Sequence, residues 1–259
     1  MNIDDILKGQ PPEIRKPKNG AKLYKVMRSE HFFSSVKDKF FNFSRVDTYD
    51  DFSDSKQPIL EEIKNEAIIF ERCPDENLAK YINNLRHVTY ACCFSTEMND
   101  YLWDTYSGGD PNAICIVFDY TKLIEELFSV FYASDTKILL NDKIIQNNQG
   151  DLYFFHLTFG LVDYIDPDKY FKSSQSNIRK YCFLKNHHKY SKDKEFRITL
   201  GPLYDKVEHI DFSEKLQLEF NFQRANSKKI IEGLCLRSFP NEDFISKLNN
   251  ALSTTHIKY

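Results

Sequence analysis

One pair of charged residues late in the chain has the spacing to hold an acid and a cation side by side. Glu195 and Arg197 alternate with Phe196 and Ile198, so on a strand the charged pair shares one face and the apolar pair the other. A glutamate held next to an arginine stays ionised at neutral pH. An ionised carboxylate in a pocket can stabilise an oxocarbenium-like centre or accept a proton. An ordinary surface ion pair is the alternative interpretation.

A second set of charged side chains lies early in the chain. Lys25 and Arg28 follow Tyr24 in a segment whose pattern predicts a strand over residues 22–27. The end of such a strand can receive an anionic ligand, and Arg28 can make a two-pronged contact with phosphate. Solvated cations beside a strand would show the same pattern.

Two segments in the middle of the chain add a hydroxyl and aromatic rings. Ser95 lies where a predicted strand over residues 87–95 ends, and a serine there can hold a ligand hydroxyl, orient a carboxylate or cap the next turn. Trp103 and Tyr106 are three residues apart on a predicted helix and therefore share a face. They could stack on a planar base or a nicotinamide ring, although anchoring a core is the commoner role.

The overall composition excludes several function classes. The chain has 259 residues, 41% of them hydrophobic, and its net charge of -3 excludes a uniformly basic nucleic-acid binder. It contains neither a P-loop nor a dinucleotide-binding glycine motif, a nucleophile elbow or an H-E-x-x-H zinc motif. Most kinases, P-loop NTPases, Rossmann dehydrogenases and α/β-hydrolases are therefore excluded.

Neither metal binding nor membrane insertion is expected. The six cysteines include no C-x-x-C pair, which argues against a structural zinc site and fits a reduced, cytoplasmic protein. No apolar run approaches the length of a membrane-spanning helix, and no secretory signal is visible. A loop with four aspartates could bind Mg²⁺ in a nuclease, although such loops usually serve solvation or helix capping; its aspartates are Asp47, Asp50, Asp51 and Asp54.

The order of predicted elements indicates the fold class. Two helices are expected over residues 58–72 and 76–87, and consecutive strands over 195–201, 206–212 and 216–222. Few strand–helix–strand units follow one another, which favours an α+β architecture with mixed, mainly antiparallel sheets and flanking helices. We expect an extended N-terminal lead-in over residues 1–21 and a single α+β domain over 22–259.

Taken in order, these segments resemble a bacterial family known as domain of unknown function 2971. Its members share an early Leu-Tyr-[Lys/His]-Tyr strand, an Asn-Asp-Pro-Phe-like loop, Cys-Phe-Ser at a strand end, a Trp-x-x-Tyr helix and a late Glu-[Trp/Phe]-Arg strand. The resemblance spans about residues 22–200 and rests on Leu23-Tyr24-Lys25, Tyr49-Asp50-Asp51-Phe52, Cys93-Phe94-Ser95, Trp103 with Tyr106, Ala113 to Asp119, and Glu195-Phe196-Arg197.

The layout is also similar to that of the ADP-ribosyltransferase superfamily. The resemblance implies an enzyme that acts on NAD without a metal, such as a toxin or phage-defence effector with a macromolecular acceptor. It further implies that Lys25 or Arg28 grips the NAD phosphate or ribose, that Ser95 braces the glutamate or the ribose, and that Glu195 stabilises the charge as nicotinamide leaves. Tyr24, Trp103, Tyr106 and Arg197 complete the expected site. A non-catalytic nucleotide- or phosphate-binding module is the alternative.

Overall fold

The structure is a computed structural model, and it describes the chain in several ranges: residues 2–49, 54–55, 86–133, 135–141, 143–146, 148–149, 152–153, 155–171, 178–186, 190–202, 212–253 and 257–258. The helices predicted over 58–72 and 76–87 lie outside these residues apart from positions 86 and 87, which are helical. Residues 206–211 of the strand predicted over 206–212 also lie outside them. Within the described ranges, none of the helices has the length and apolar character that crossing a bilayer requires.

The described elements combine seven α-helices with thirteen strands, which confirms the α+β prediction. The helices are α1 Ile3–Lys8, α2 Ser29–Asp38, α3 Asp100–Tyr106, α4 Tyr120–Phe131, α5 Pro167–Phe171, α6 Phe222–Ser227 and α7 Glu242–Leu252. The strands are β1 Lys22–Met27, β2 Phe40–Arg45, β3 Tyr90–Ser95, β4 Ile114–Asp119, β5 Lys137–Leu140, β6 Lys143–Gln146, β7 Asn148–Gln149, β8 Leu152–Tyr153, β9 Phe155–Leu161, β10 Glu195–Pro202, β11 Lys215–Glu219, β12 Ile231–Leu236 and β13 Ile257–Lys258. Three short 3₁₀ segments lie at Val46–Thr48, Ile178–Phe183 and Ser191–Asp193.

Eleven of the described strands form one branched, mainly antiparallel sheet. Along its main path the order is β13-β12-β4-β1-β3-β2-β11-β5-β6, and β10 pairs with β3 and with β9. Only the pairing of β12 with β13 is parallel among the described ladders. The expectation of mixed, mainly antiparallel sheets with flanking helices is therefore confirmed.

The sheet divides at one edge of β3, because β1 and β2 share that edge. β1 reaches β3 at the pair Tyr24–Ser95, whereas β2 reaches it at Ser44–Ala91 and Arg45–Tyr90. The segment between these contacts, residues 92–94, therefore lies beside a gap, which we call the fork. On its opposite edge β3 pairs with β10 along its whole length.

Lys25 spans the fork. Its Nζ donates a hydrogen bond to the backbone oxygen of Cys93 at 2.9 Å and lies 5.0 Å from the ring centroid of Phe94. A backbone carbonyl that a continuous ladder would have satisfied thus receives a side-chain donor instead. Lys25 consequently holds the sheet together at the point where the ladder opens.

One face of the sheet carries an aromatic core covered by α4 and its neighbours. Phe94, Phe118 and Phe196 are each almost fully buried, and Phe94 packs against the other two with ring centroids 5.8 and 6.2 Å apart. In α4 the inward stripe includes Leu123, and the Asp119 side chain caps the helix by accepting from the backbone N–H of Lys122. This core fixes the strands whose opposite face forms the candidate site.

The first residues pack onto the domain. The segment expected to be an extended lead-in contains α1. The stretch that follows, residues 9–16, runs along β9 as a strap, and Gln10 and Arg15 hydrogen-bond to its backbone. Ile14 is buried, and the backbone oxygen of Arg15 accepts a hydrogen bond from the N–H of Leu161 at 2.8 Å. Gly160 leaves room for this crossing, since a Cβ there would lie 2.2 Å from Ile14.

Candidate functional site

A cavity of about 580 Å³ opens beside the fork, on the polar face of β1, β3 and β10. Its size falls within the range of small-molecule sites. Six of the eight residues expected to form the site line it: Tyr24, Lys25, Ser95, Tyr106, Glu195 and Arg197.

Strand register explains why residues far apart in the chain meet here. Ser95 of β3 is paired with Tyr24 of β1 on one side and with Glu195 of β10 on the other. Directly paired residues of antiparallel strands project to the same face, so these three side chains share the cavity face. Cys93 and Arg197 form the next pair on that face, because side chains alternate along each strand.

Arg197 is the centre of a buried ion cluster. Although it carries a full charge, its side chain is 1% exposed. Its Nη1 and Nη2 each donate to a different carboxylate oxygen of Asp54 at 2.6 Å, and its Nε donates to Glu195 Oε1 at 2.5 Å. This two-pronged geometry uses the planar guanidinium fully. The ion pair predicted for Glu195 and Arg197 is therefore present, inside the protein and facing the cavity.

Lys185 supplies the second cation of the cluster. Its Nζ donates to Glu195 Oε2 at 3.0 Å and to Asp193 Oδ2 at 2.9 Å. Burial lowers the pKa of Lys185, but Glu195 and the other carboxylates outweigh that effect and raise it above its usual value. Among the described residues, three buried carboxylates thus face two buried cations, and the cluster carries a net negative charge.

Glu195 is ionised across the physiological pH range. Its burial alone would raise the pKa, yet the charges of Arg197 and Lys185 lower it from 4.5 to about 2. A carboxylate with so low a pKa is a poor proton acceptor at neutral pH. Its chemical capability is therefore electrostatic: it places a fixed negative charge beside the cavity.

Ser95 positions the turn that leads into β10. Its Oγ lies 2.7 Å from the backbone oxygen of Asp193, to which it can donate, and it accepts from the N–H of Glu97 at 3.1 Å. Lys194, at the centre of the turn, has a φ of 46°, a left-handed conformation. The turn is further held by a hydrogen bond from Thr96 N–H to the Lys194 oxygen. Ser95 is buried and acts on the site through these backbone contacts.

Cys93 has the wrong electrostatic setting for a nucleophile. Burial and the neighbouring Glu195 together raise the pKa of this thiol well above its usual value. Its Sγ lies 3.5 Å from the hydroxyl of Tyr49, whose own pKa is raised by burial and by the thiol. Because the thiolate is the reactive form, Cys93 contributes to the wall of the cavity rather than to covalent chemistry.

Two expected ligand contacts lie elsewhere. Arg28 does not line the cavity; it precedes α2 and its Nη1 pairs with Glu30 at 3.0 Å. Trp103 is 6% exposed and packs against Ala113 and Cys115 in a small apolar cluster behind the cavity wall. Trp103 therefore anchors α3, while Tyr106 at the end of the same helix lines the cavity.

The two described aspartates of the loop considered for magnesium contact cationic and histidine side chains. Asp47 pairs with Arg45 at 2.6 Å and lies 2.5 Å from a ring nitrogen of His87, whereas Asp54 is held by Arg197. Asp50 and Asp51 lie outside the described residues. Across the parts of the chain that the structure describes, no group of three metal-ligating side chains is arranged to hold a metal ion.

Sequence reasoning did not identify three members of the ion cluster as part of this site. Asp193 shares a strand-like spacing with Glu195, two residues away, which was the available signal. Asp54 stood out only as one acid in a polar loop, and Lys185 carried no local signal because its partners come from other parts of the chain.

Comparisons with family models, with curated proteins and with solved structures find no match to this chain. The resemblance to the domain of unknown function 2971 and to ADP-ribosyltransferases therefore stays a prediction from the motifs.

Proposed function

We propose that the protein is an NAD-dependent ADP-ribosyltransferase-like enzyme that binds NAD in the cavity beside the fork. The observation that carries this proposal is Glu195: a buried, ionised carboxylate lines a cavity of about 580 Å³ together with two lysines, four tyrosines and polar groups. In such a site a fixed negative charge stabilises a positive charge that develops in a bound substrate.

The proposed reaction breaks the bond between the ribose C1′ and the ring nitrogen of nicotinamide. The electron pair of that bond leaves with nicotinamide, which becomes neutral, and the ribose carbon becomes oxocarbenium-like. Glu195 lowers the energy of this cationic centre through its charge. An acceptor nucleophile then forms the new bond to C1′ and releases its proton to solvent.

The phosphate and ribose groups would lie toward the fork. The ammonium group of Lys25 has three N–H donors and uses one of them on the Cys93 carbonyl. Asn42 and Ser44 belong to β2, which meets the same edge of β3 as β1 does; both residues line the cavity and offer uncharged polar contacts. We place the anionic part of the ligand beside Lys25 because Asp193 and Glu195 make the cavity acidic on the β10 side of β3.

A non-catalytic nucleotide- or phosphate-binding module is the second candidate. It is favoured by one observation: both carboxylate oxygens of Glu195 already accept hydrogen bonds from Arg197 and Lys185. A glutamate held in this way could serve to build a rigid pocket instead of supporting a reaction.

Release of nicotinamide from NAD, with and without cell lysate as a source of acceptor, distinguishes the two functions. The proposed enzyme releases nicotinamide, and Glu195→Gln reduces the rate by at least about 100-fold because the stabilising charge is lost. Glu219→Gln is the matched control, since this strand glutamate lies outside the cavity lining. Thermal stabilisation by NAD without turnover favours the binding module. If NAD is neither bound with stabilisation nor turned over, both candidate functions are overturned.

A further inference from the structure

Two cysteines on neighbouring strands lie directly opposite each other. Cys115 of β4 is paired with Cys235 of β12, and regular pairs of the same antiparallel ladder flank them on both sides. Directly paired residues of antiparallel strands project to the same face, with Cα atoms about 4.5–5.5 Å apart. A disulfide requires a Cα separation of roughly 4.4–6.8 Å, so this register suits such a bond. Both side chains are thiols in this structure.

The two thiols differ in their access to solvent. Cys115 is fully buried, whereas Cys235 is partly exposed. Burial and the neighbouring Cys235 raise the pKa of the Cys115 thiol, and the second effect reflects the proximity of the two groups. Because the thiolate is the reactive form, a dissolved oxidant meets Cys235 first, and Cys115 is placed to react with the oxidised Cys235.

The thiol pair lies on the cavity face of the sheet, beyond β1. On its other edge Cys115 is paired with Val26 of β1, which lines the cavity. Trp103 of α3 shares a small apolar cluster with Cys115, and Cys235 packs against that cluster. Burial raises the pKa of the Tyr24 hydroxyl, and both thiols add to this effect. A chemical change at the thiols therefore occurs in contact with the anchor of α3 and close to a residue of the cavity wall.

We propose that Cys115 and Cys235 are a redox-responsive pair that hydrogen peroxide converts into a disulfide, independently of the function proposed above. The Cys235 sulfur attacks one peroxide oxygen, the O–O bond breaks, and one water leaves as Cys235 becomes a sulfenic acid. The Cys115 sulfur then attacks the Cys235 sulfur, the S–O bond breaks, and a second water leaves. The two thiols together lose two electrons and two protons, and the peroxide takes up both.

Two properties of the pair fit a responsive bond. The raised pKa of Cys115 makes the second step slow, so the disulfide forms only when the oxidised Cys235 persists beside it. Trp103 is the only tryptophan of the chain, and an indole next to a disulfide loses fluorescence. Its emission therefore reports the state of the thiols directly.

Oxidation of the purified wild-type chain with hydrogen peroxide tests the proposal. Digestion without reductant should yield two peptides joined through Cys115 and Cys235, lighter by two hydrogen atoms than the reduced peptides together. Trp103 fluorescence should fall in parallel and recover with dithiothreitol. The recovery separates the disulfide from oxidation of Met98, which packs against the same cluster and whose sulfoxide this reductant leaves unchanged. Cys235→Ser should lose both signals, whereas the control Cys182→Ala keeps both thiols of the pair and should retain them.

The outcomes decide the proposal without reference to NAD. A wild-type chain in which peroxide leaves Cys115 and Cys235 unlinked, or joins Cys235 to another cysteine, overturns it. Reversible loss of fluorescence that persists in Cys235→Ser also overturns it. The mass measurement on the wild-type chain needs no variant, so the test holds even if a variant fails to fold. Absence of NAD binding and turnover would overturn the proposed function and leave the thiol pair standing.

Discussion

Replacing Arg197 with methionine tests the electrostatic description of the ion cluster. Methionine approximates the length of the arginine side chain and removes its charge. In the variant, Asp54 loses both of its guanidinium hydrogen bonds and Glu195 loses one, while only Lys185 remains as a buried counter-charge among the described residues. Breaking a buried ion pair in this way costs about 3–5 kcal/mol of folding stability at neutral pH.

The pH dependence of the stability lost in Arg197→Met gives the sharper test. In the wild type the pKa of Glu195 is lowered from 4.5 to about 2, so its contribution of about 3 kcal/mol is complete above pH 4.5 and disappears as the pH falls toward 2. Without Arg197, burial and the remaining acids raise the pKa of Glu195 relative to the wild type. Lowering the pH then protonates Glu195 in the variant, whereas the wild type keeps this carboxylate ionised. The variant therefore gains stability relative to the wild type, and the difference in unfolding free energy should shrink as the pH is lowered from 7 to 4.

Urea unfolding of wild type and Arg197→Met at a series of pH values measures this difference. The control is Arg237→Met, which removes a surface pair with Asp104 whose side chains are 48% and 63% exposed and should cost no more than about 1 kcal/mol. Wild-type stability in Arg197→Met at pH 7, or a difference that grows on acidification, would refute the account of the cluster.

Three further substitutions test other parts of the structure. Lys25→Met should destabilise the fold by about 1–3 kcal/mol in urea unfolding, because the Cys93 carbonyl loses its donor at the fork, and Lys25→Arg should retain most of the stability. Gly160→Ala should cost about 1–3 kcal/mol and accelerate amide exchange in the strap, since its Cβ would lie 2.2 Å from Ile14; unchanged exchange there contradicts the packing. Trp103→Phe should lower the unfolding temperature yet change NAD affinity by less than about 2-fold, because the residue packs behind the cavity wall; a large loss of affinity in calorimetry would show that it contacts the ligand.

The local pattern was sufficient for the strands that carry the site. Alternation in residues 22–27 and 195–201 predicted β1 and β10, and it also placed Glu195 and Arg197 on one face. Where strand alternation and a helix-capping residue overlap, the alternation gave a wrong strand boundary. The alternation predicted a strand through Phe222, but β11 ends at Glu219 because the Asn221 side chain caps α6.

The fork and the ion cluster could not be read from the chain, because both depend on long-range pairing. Register alone decides that Tyr24 and Ser44 meet the same edge of β3 at different points. Asp54 and Arg197 are 143 positions apart, and neither residue carries a local sign of the other. Trp103 illustrates the opposite case: its helical spacing with Tyr106 fits both stacking and core packing, and only the surrounding strands decide between them.

Hydrogen exchange of the chain with and without saturating NAD tests most directly whether these residues form one binding site. The account predicts slower exchange at the end of β3 and in the turn before β10, residues 93–97 and 191–197, where Ser95 and Glu195 meet across the cavity. It predicts no change in α7, which contributes no residue to the cavity lining. NAD binding that leaves both segments of the cavity unchanged, or that protects α7 instead, would contradict it.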